Sequence, residues 1–184
     1  YDANLFGKST SEERKNHAVN QLSEPGSVFK LFSLASVLEA GEADTSTTFL
    51  CDGSYTFNAG GSAVTITCSS PHGEVDSRTM ISKSCNGAIS HWALQTDPAK
   101  FFETLSNLGF TSSWDIDLPS RARSIIADVG AWSLRSQPTI AFGQELLTTA
   151  LHLTVAATAL GPTGELLTPH LILRRRSGED GTLL

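Results

Sequence analysis

The sequence predicts a helix-rich α+β fold, and three features of its 184 residues support this prediction. Residues 26–40 and 98–108 carry apolar residues at helical spacing, and each segment is bounded by helix start and stop signals. Residues 46–68 instead alternate threonine, aromatic and β-branched residues around two glycines, which is typical of a small β-hairpin. A length of 184 residues suits one domain, and we predict no domain boundary within residues 1–184.

The first helices are predicted from their end signals. Ser11 precedes a short acidic run and is suited to cap a short helix within residues 8–22. Pro25 stands where a first helical turn tolerates proline, and Gly41 stands where a helix ends in a left-handed residue. The helix between them, residues 26–40, is apolar on nearly all sides, so we expect it to be buried.

The later elements follow from turn and capping residues. Residues 69–77 are predicted to form a loop, and two short helices are predicted to meet near Ser84. Asp97 is suited to cap the next helix, which Gly109 ends. The remaining chain is predicted to form a loop-rich stretch, a buried helix and an extended run, over residues 110–142, 144–160 and 170–176.

The composition is ordinary for a globular protein and excludes one class of function. Hydrophobic residues make up 40% and charged residues 17%. The net charge of −6 argues against a nucleic-acid partner, because nucleic-acid-binding proteins usually present a basic surface. No apolar run reaches the roughly 18 residues that span a bilayer. We interpret Tyr1 as a cut end.

The cysteines and histidines show none of the common metal-ligand spacings. No pair of cysteines has C-x-x-C spacing, so the sequence predicts neither a zinc ribbon nor a thioredoxin-like site. Cys51 and Cys68 flank a Gly-rich, strand-like stretch, and both a disulfide between them and two free thiols fit the sequence. The histidines have no H-E-x-x-H or H-x-H spacing and are interpreted as structural. They are His17, His72, His91, His152 and His170.

Ser27 and Lys30 form an S-x-x-K pattern at the start of the predicted buried helix. Their spacing puts both side chains on one helix face, one turn apart. Burial of Lys30 should lower the pKa of its amine, and a neutral amine can act as general base toward a serine hydroxyl. The pattern is weak alone, because Ser27 could simply cap the helix and Lys30 could extend its ammonium to the surface.

Ser84 and Asn86 form a second pattern, S-x-N, in the turn between two predicted short helices. Both side chains can point into one cleft from such a turn. A serine hydroxyl can relay a proton, and an asparagine amide can donate to and accept from a peptide bond. We therefore expect these two residues to lie beside Ser27 and Lys30, although S-x-N alone is usually a turn or a cap.

The two patterns together resemble the signature of penicillin-binding proteins and class A β-lactamases. The sequence as a whole resembles the transpeptidase domain of class B penicillin-binding proteins, the enzymes that crosslink peptidoglycan during septation and elongation. Several segments in the right order carry this resemblance, which makes it more specific than either short motif. They are YDAN, RKNHAV, EPGSVFKLFSLASVLEAG, TTFLCDGSYTF, ITCSSPHGEVD, ISKSCNGA, FFETLSNLGF, DIDLP and AFGQELLTTALHLTVAATAL.

The resemblance implies a fold, a reaction and residue roles. The fold would be the helical lobe of the serine transpeptidase fold, with most of the central antiparallel sheet missing from these residues. Ser27 would be the acylated nucleophile, Lys30 its base, and Ser84 a proton shuttle. Asn86 would hold the amide of the donor stem peptide or of a β-lactam. The D-Ala-D-Ala acyl group would pass to serine and then to an amine of a neighbouring strand, without a metal or an organic cofactor.

The resemblance also implies ligands, partners and a location. β-Lactam antibiotics would acylate the same serine, and divisome or elongasome proteins would be partners. The site of action would be the extracytoplasmic face of the bacterial inner membrane, with the anchor in a segment outside these residues. That setting permits a Cys51–Cys68 disulfide.

The sequence departs from the family at its third motif, K-T-G. None of the lysines begins such a motif, so the chain is expected to lack the strand that carries one oxyanion-hole donor and one wall of the cleft. Loss of one such donor typically lowers the rate by about 10²–10³. The lysines are Lys8, Lys15, Lys30, Lys83 and Lys100.

Two rival functions remain open from the sequence. A serine β-lactamase or β-lactam sensor would share the fold, although no glutamate stands out as the base for rapid deacylation. A non-catalytic interaction lobe, or truncated scaffold, would also explain the missing third motif. Labelling by a penicillin distinguishes these functions, since a scaffold would not be labelled and a β-lactamase would turn over.

Overall fold

The computed structural model describes residues 3–114, 116–118 and 121–172, and it has the predicted helix-rich α+β architecture. Seven α-helices among these residues are joined by irregular segments and three short 3₁₀ helices, Ala3–Lys8, Gly26–Phe29 and Val129–Ala131. The α-helices are α1 (His17–Asn20), α2 (Lys30–Ala40), α3 (Ser77–Lys83), α4 (Asn86–Gln95), α5 (Pro98–Asn107), α6 (Ser136–Ile140) and α7 (Ala150–Thr158). Within this described part, no helix is long and apolar enough to cross a membrane.

Among the described residues, the β-structure consists of two separate two-stranded antiparallel sheets. Strands β2 (Ser54–Ala59) and β3 (Ser62–Thr67) form the predicted hairpin around Gly60 and Gly61, both of which have positive φ. Strands β1 (Phe49–Cys51) and β4 (Gly73–Val75) pair outside it. Residues 69–77 were predicted to be a loop, but residues 73–75 of this segment form strand β4. A strand of three residues that pairs with a distant strand is too short to show a periodic pattern in the sequence.

The core lies where α2, α4 and α5 meet. The rings of Phe29, Phe32 and Phe110 pack with centroids 4.9–5.8 Å apart, in tilted and edge-to-face arrangements. Trp92 on α4 is also buried. The ring contacts hold the start of α2 against the segment that follows α5, and α2 also packs on α4. This packing positions the candidate site.

The predicted helix over residues 26–40 is instead a 3₁₀ turn followed by an α-helix, since the N–H of Lys30 donates to the carbonyl of Ser27. It is not buried throughout: Val28 is 55% exposed. The end at Gly41 is confirmed, with φ 76°. Pro25 precedes the 3₁₀ turn rather than opening the α-helix.

Two other helix predictions are wrong in extent. A short helix does lie within residues 8–22, but it is confined to α1 (His17–Asn20), and Ser11 does not cap it. Thr10 bonds reciprocally with Glu13 in a separate polar turn, which does not propagate because it has no apolar face to bury. The predicted helix over 144–160 begins only at Ala150, because Leu147 and Thr148 instead pair in extended conformation with Ile125 and Ser23.

The predictions around the second motif and α5 are confirmed. Helices α3 and α4 meet at Ser84, and the Asp97 side chain accepts the N–H groups of Ala99 and Lys100 at the start of α5. The extended run predicted over 170–176 lies mostly outside the described residues.

Candidate active site

The 3₁₀ turn that begins α2 places Ser27 directly beside Lys30. In a 3₁₀ helix the side chains at i and i+3 eclipse, so the two groups approach more closely than on an ideal α-helix. Lys30 Nζ lies 3.0 Å from Ser27 Oγ. Ser27 is exposed, whereas Lys30 is only 1% exposed. A serine hydroxyl exposed to solvent is thus hydrogen-bonded to a buried amine.

Burial dominates the electrostatics of Lys30. The side chain leaves water, which disfavours its charged form and lowers its pKa from 10.5 to about 8. Among the described residues, the ion pairs do not include Lys30. The amine is therefore stabilised by neutral hydrogen-bond acceptors and not by a carboxylate.

Ser84 supplies the other two acceptors around the amine. Lys30 Nζ lies 2.8 Å from the Ser84 carbonyl and 2.7 Å from its hydroxyl. Ser84 has φ 53° and ψ 46°, a left-handed conformation that costs a non-glycine residue roughly 1–2 kcal/mol. This conformation ends α3 and allows both oxygens of one residue to reach Nζ.

The three oxygens around Lys30 Nζ can satisfy the amine in both its charged and its neutral form. An ammonium has three N–H donors, and the three oxygens around Nζ can accept all of them. A neutral amine has two N–H groups and one lone pair, and the Ser84 carbonyl can only accept. One serine hydroxyl must then donate to Nζ. The site can therefore take a proton from either Ser27 or Ser84 without moving a heavy atom.

Asn86 is the first residue of α4, two positions after Ser84, and it borders a groove. Its Nδ2 donates to the carbonyl of Thr67, at the end of β3, over 2.9 Å. This bond leaves the side-chain oxygen and one N–H available to a ligand. A groove of about 300 Å³ lies between β3 and the α6 region, and Asn86, Thr67 and Arg135 are among the residues that line it.

The backbone at Gly143 supports the turn that carries Ser27. The Gly26 N–H donates to the Gly143 carbonyl over 2.9 Å. Both glycines have positive φ, 57° at Gly26 and 86° at Gly143. A Cβ at Gly143 would lie 2.0 Å from the Gly26 carbonyl oxygen, so only glycine permits this approach.

A second cluster, of three cysteines and one histidine, lies immediately beneath Asn86. We call Cys51, Cys68, His72 and Cys85 the Cys/His cluster. Cys68 Sγ lies 3.7 Å from both Cys51 Sγ and Cys85 Sγ, and Cys51 Sγ lies 3.7 Å from His72 Nδ1. The three cysteines are free thiols in this structure, so the disulfide between Cys51 and Cys68 stays a prediction.

Sequence reasoning missed this cluster because its members lie in four separate segments. Only the short Cys68–His72 separation resembles a ligand pair, and no C-x-x-C motif draws attention to the rest. Pairing of β1 with β4 brings the four side chains together. The available signal was a cysteine within the S-x-N motif itself, at Cys85.

A surface serine bonded to a buried lysine, with a second serine completing the cluster, defines the class of active-site serine proteins that use lysine in place of histidine. Residues 1–179 match the family described as the penicillin-binding protein transpeptidase domain, and the chain belongs to this family. It forms part of a class B transpeptidase domain.

Curated relatives agree with this membership. The probable peptidoglycan D,D-transpeptidase PenA of Neisseria flavescens is 30% identical over 91% of this chain and 40% of its own length. The penicillin-binding protein PbpB of Mycolicibacterium smegmatis is 26% identical over 97% of this chain and 27% of its own. The chain thus spans less than half the length of these relatives.

Solved structures agree on the fold. Penicillin-binding protein 3 of Mycobacterium tuberculosis, complexed with ampicillin, superposes with a TM-score of 0.84 at 24% identity, over 97% of this chain and 39% of that one. The transpeptidase domain of Burkholderia pseudomallei penicillin-binding protein 3 gives a TM-score of 0.75 at 25% identity, over 85% of this chain and 46% of that one.

Proposed function

We propose that residues 1–184 supply the nucleophile, base and proton shuttle of a peptidoglycan D,D-transpeptidase, as part of a longer transpeptidase domain. The observation that carries this proposal is the contact of Lys30 Nζ with the hydroxyls of both Ser27 and Ser84. A structural lysine needs no pair of hydroxyls from two different motifs. Several relatives are named peptidoglycan D,D-transpeptidases, which supports the same reaction.

The proposed acylation begins with attack of Ser27 Oγ on the carbonyl carbon of the penultimate D-Ala. The Ser27 proton passes to neutral Lys30, and the new C–O bond leaves the negative charge on the carbonyl oxygen. Collapse of this intermediate breaks the peptide bond, and Ser84 relays the proton from Lys30 to the departing D-Ala amine. The product is an ester of the stem peptide on Ser27.

The second half-reaction reverses these proton transfers. An amine from a neighbouring stem peptide attacks the ester, its proton passes through Ser84 to Lys30, and Ser27 regains its hydroxyl hydrogen. Asn86 holds the amide of the donor peptide through the side-chain groups that its bond to Thr67 leaves available. The backbone N–H of Ser27 supplies one oxyanion donor, and a K-T-G strand outside these residues supplies the other.

In this proposal β-lactams acylate the same site, because they present a strained amide to Ser27. The structural relative from Mycobacterium tuberculosis is described as complexed with ampicillin, which supports this ligand class for the present chain. We further propose action at the extracytoplasmic face of the inner membrane, anchoring by a segment outside these residues, and association with division or elongation proteins. Cell-wall relatives support the first of these points.

Fluorescent penicillin tests the proposal directly. In the full-length protein that contains these residues, we expect one label on the tryptic peptide 16–30, which ends at Lys30 and includes Ser27. A Ser27→Ala variant is the control and should remain unlabelled. A label on another residue would refute the role of Ser27, and steady hydrolysis of nitrocefin without a stable acyl-enzyme would indicate a β-lactamase.

The pH dependence of acylation is a second expected result. Deprotonation of Lys30 increases as pH rises, and a pKa of about 8 leaves about one tenth of the amine neutral at pH 7. The second-order rate constant for penicillin should therefore rise about tenfold per pH unit below this pKa, reach half its maximum near pH 8 and then level off. A rate that stays constant from pH 6 to 10 would exclude Lys30 as the base.

A further inference from the structure

We propose that Cys51, Cys68, His72 and Cys85 form a tetrahedral zinc site that holds the S-x-N motif in place. Each residue offers one ligand atom, and these four atoms all lie within 4.8 Å of one another. The sequence-based expectation was a chain without metal, so this proposal changes that expectation. It rests on the Cys/His cluster alone and does not depend on the proposed transferase function.

The distances within the cluster fit one zinc ion. Zn–S bonds of about 2.3 Å in tetrahedral geometry place neighbouring sulfurs about 3.8 Å apart, and a sulfur and an imidazole nitrogen slightly closer. The observed separations are 3.7 Å for Cys51–Cys68, for Cys68–Cys85 and for Cys51–His72. A disulfide would require an S–S distance near 2.05 Å and would use only two of the three thiols.

The chemistry of the donor set also favours zinc. Three thiolates and one neutral imidazole form a common structural zinc set, in which all four positions are filled by protein. Binding would release three thiol protons, and His72 would coordinate through Nδ1 with its remaining hydrogen on Nε2. Cys51 and Cys85 are buried, while Cys68 and His72 are partly exposed, which gives the ion a route of entry.

Backbone amides already point at the sulfurs. The N–H of Gly87 donates to Cys68 Sγ over 3.3 Å, and the N–H of Ala88 donates to Cys85 Sγ over 3.4 Å. Hydrogen bonds of this kind, donated to the sulfur atoms, stabilise thiolates and orient metal ligands. A pair of neutral thiols would gain little from these donors.

The zinc ion would connect parts of the fold that have little core of their own. Its ligands come from the end of β1, the residue after β3, the residue before β4, and the N-cap of α4. Two-stranded sheets are marginally stable alone, and in the part of the chain that the structure describes each sheet has two strands. A metal bonded to all four segments would fix them against α4.

The position of the cluster explains why the site would matter for substrate. Cys85 lies between Ser84 and Asn86, and Cys68 follows Thr67, whose carbonyl accepts the Asn86 amide. A zinc ion bonded to Cys68 and Cys85 would fix both partners of that hydrogen bond. The four ligands would thus act as positioning residues for Asn86 and would not touch the substrate.

The metal content of the full-length protein tests this proposal. We compare wild type with Cys68→Ser, His72→Ala and, as the matched control, His17→Ala, which alters an exposed histidine outside the cluster. Wild type and His17→Ala should hold one more zinc per chain than the two ligand variants. The zinc affinity of these variants should fall by more than about 10–100-fold, the loss typical when only a hydrogen-bond partner of a metal ligand is removed. Chelation should lower Tm by at least about 5 °C in wild type and not in the ligand variants.

Cobalt substitution and thiol analysis supply independent outcomes. Tetrahedral Co²⁺ in wild type should show thiolate-to-metal charge-transfer bands and strong visible bands, which both ligand variants should weaken. Equal zinc in all four proteins would overturn the site. A Cys51–Cys68 disulfide in protein isolated from its native compartment would also overturn it, because an oxidised pair cannot supply two thiolates.

Discussion

Replacing Lys30 with methionine is expected to slow acylation of Ser27 by about 10²–10⁴-fold, the range that a positioned general base contributes. Methionine fills a similar volume but has no atom that can take the serine proton. The loss should appear in the second-order rate constant for penicillin, measured in the full-length protein. Because Lys30 bonds both serines, removing it should affect acylation more than removing Ser84, which has only a relay role in the proposed mechanism.

The free energy of unfolding of Lys30→Met should not fall in parallel with its acylation rate. Lys30 is 1% exposed, and its amine loses hydration without gaining an ion pair among the described residues. Methionine removes that desolvation cost, although the Ser84 carbonyl then loses one donor. We therefore expect the free energy of unfolding to stay within about 1 kcal/mol of wild type or to increase, as happens when a group is retained for activity.

A lysine on the surface provides the control for this prediction. Lys100 is exposed on α5, away from the cluster, and Lys100→Met should leave the acylation rate unchanged. If Lys30→Met acylated at the wild-type rate, another group would have to be the base. If it failed to fold, Lys30→Arg would retain the charge and the buried stem but not a readily deprotonated amine, and its acylation should still be slow.

The sequence predicted best those elements whose ends are determined by one residue. Gly41 ends α2 with φ 76° because a left-handed residue is needed there, and Asp97 begins α5 because its carboxylate accepts two free N–H groups. The hairpin turn at Gly60 and Gly61 has the same local origin. In each case the physical cause lies within a few residues of its effect.

Elements held by distant partners were not predictable in this way. β1 and β4 exist because Phe49, Leu50 and Cys51 pair with residues more than twenty positions later. Thr148 is extended because it pairs with Ser23 across the fold, although its own segment has a helical pattern. Short strands of this kind carry too few residues to show a period of two.

The candidate site likewise contains one contact that is local in sequence and one that depends on the tertiary structure. The Ser27–Lys30 contact follows from a local spacing, whereas the contact of Lys30 with Ser84 joins residues 54 positions apart and requires the packing of α2 on α4. This second contact was predicted because the S-x-x-K and S-x-N motifs supply groups for the same mechanism. Their spacing in the sequence did not predict it. The Cys/His cluster had no such mechanism attached to it, and therefore only the tertiary structure revealed it.

Substituting Gly143 by alanine is expected to destabilise the protein by about 2–5 kcal/mol and to displace the nucleophile. A left-handed alanine costs about 1–2 kcal/mol, and overpacking against an immovable group adds about 1–3 kcal/mol. The added Cβ would lie 2.0 Å from the Gly26 carbonyl oxygen and 2.7 Å from its nitrogen, both of which are backbone atoms. Relief of this clash must move Gly26, and Ser27 follows it directly in the chain.

Two glycine variants separate the clash from simple backbone strain. A Cβ at Gly26, with φ 57°, or at Gly130 would meet nothing within 4 Å. Urea unfolding should therefore rank the midpoints as Gly130→Ala near wild type, Gly26→Ala lower by the strain alone, and Gly143→Ala lowest, with similar m values. Since a misplacement of about 1 Å can cost 10²-fold in rate, the folded fraction of Gly143→Ala should also acylate slowly. Equal midpoints for Gly26→Ala and Gly143→Ala would show that the two backbones can separate freely, and the turn at Ser27 would then need another support.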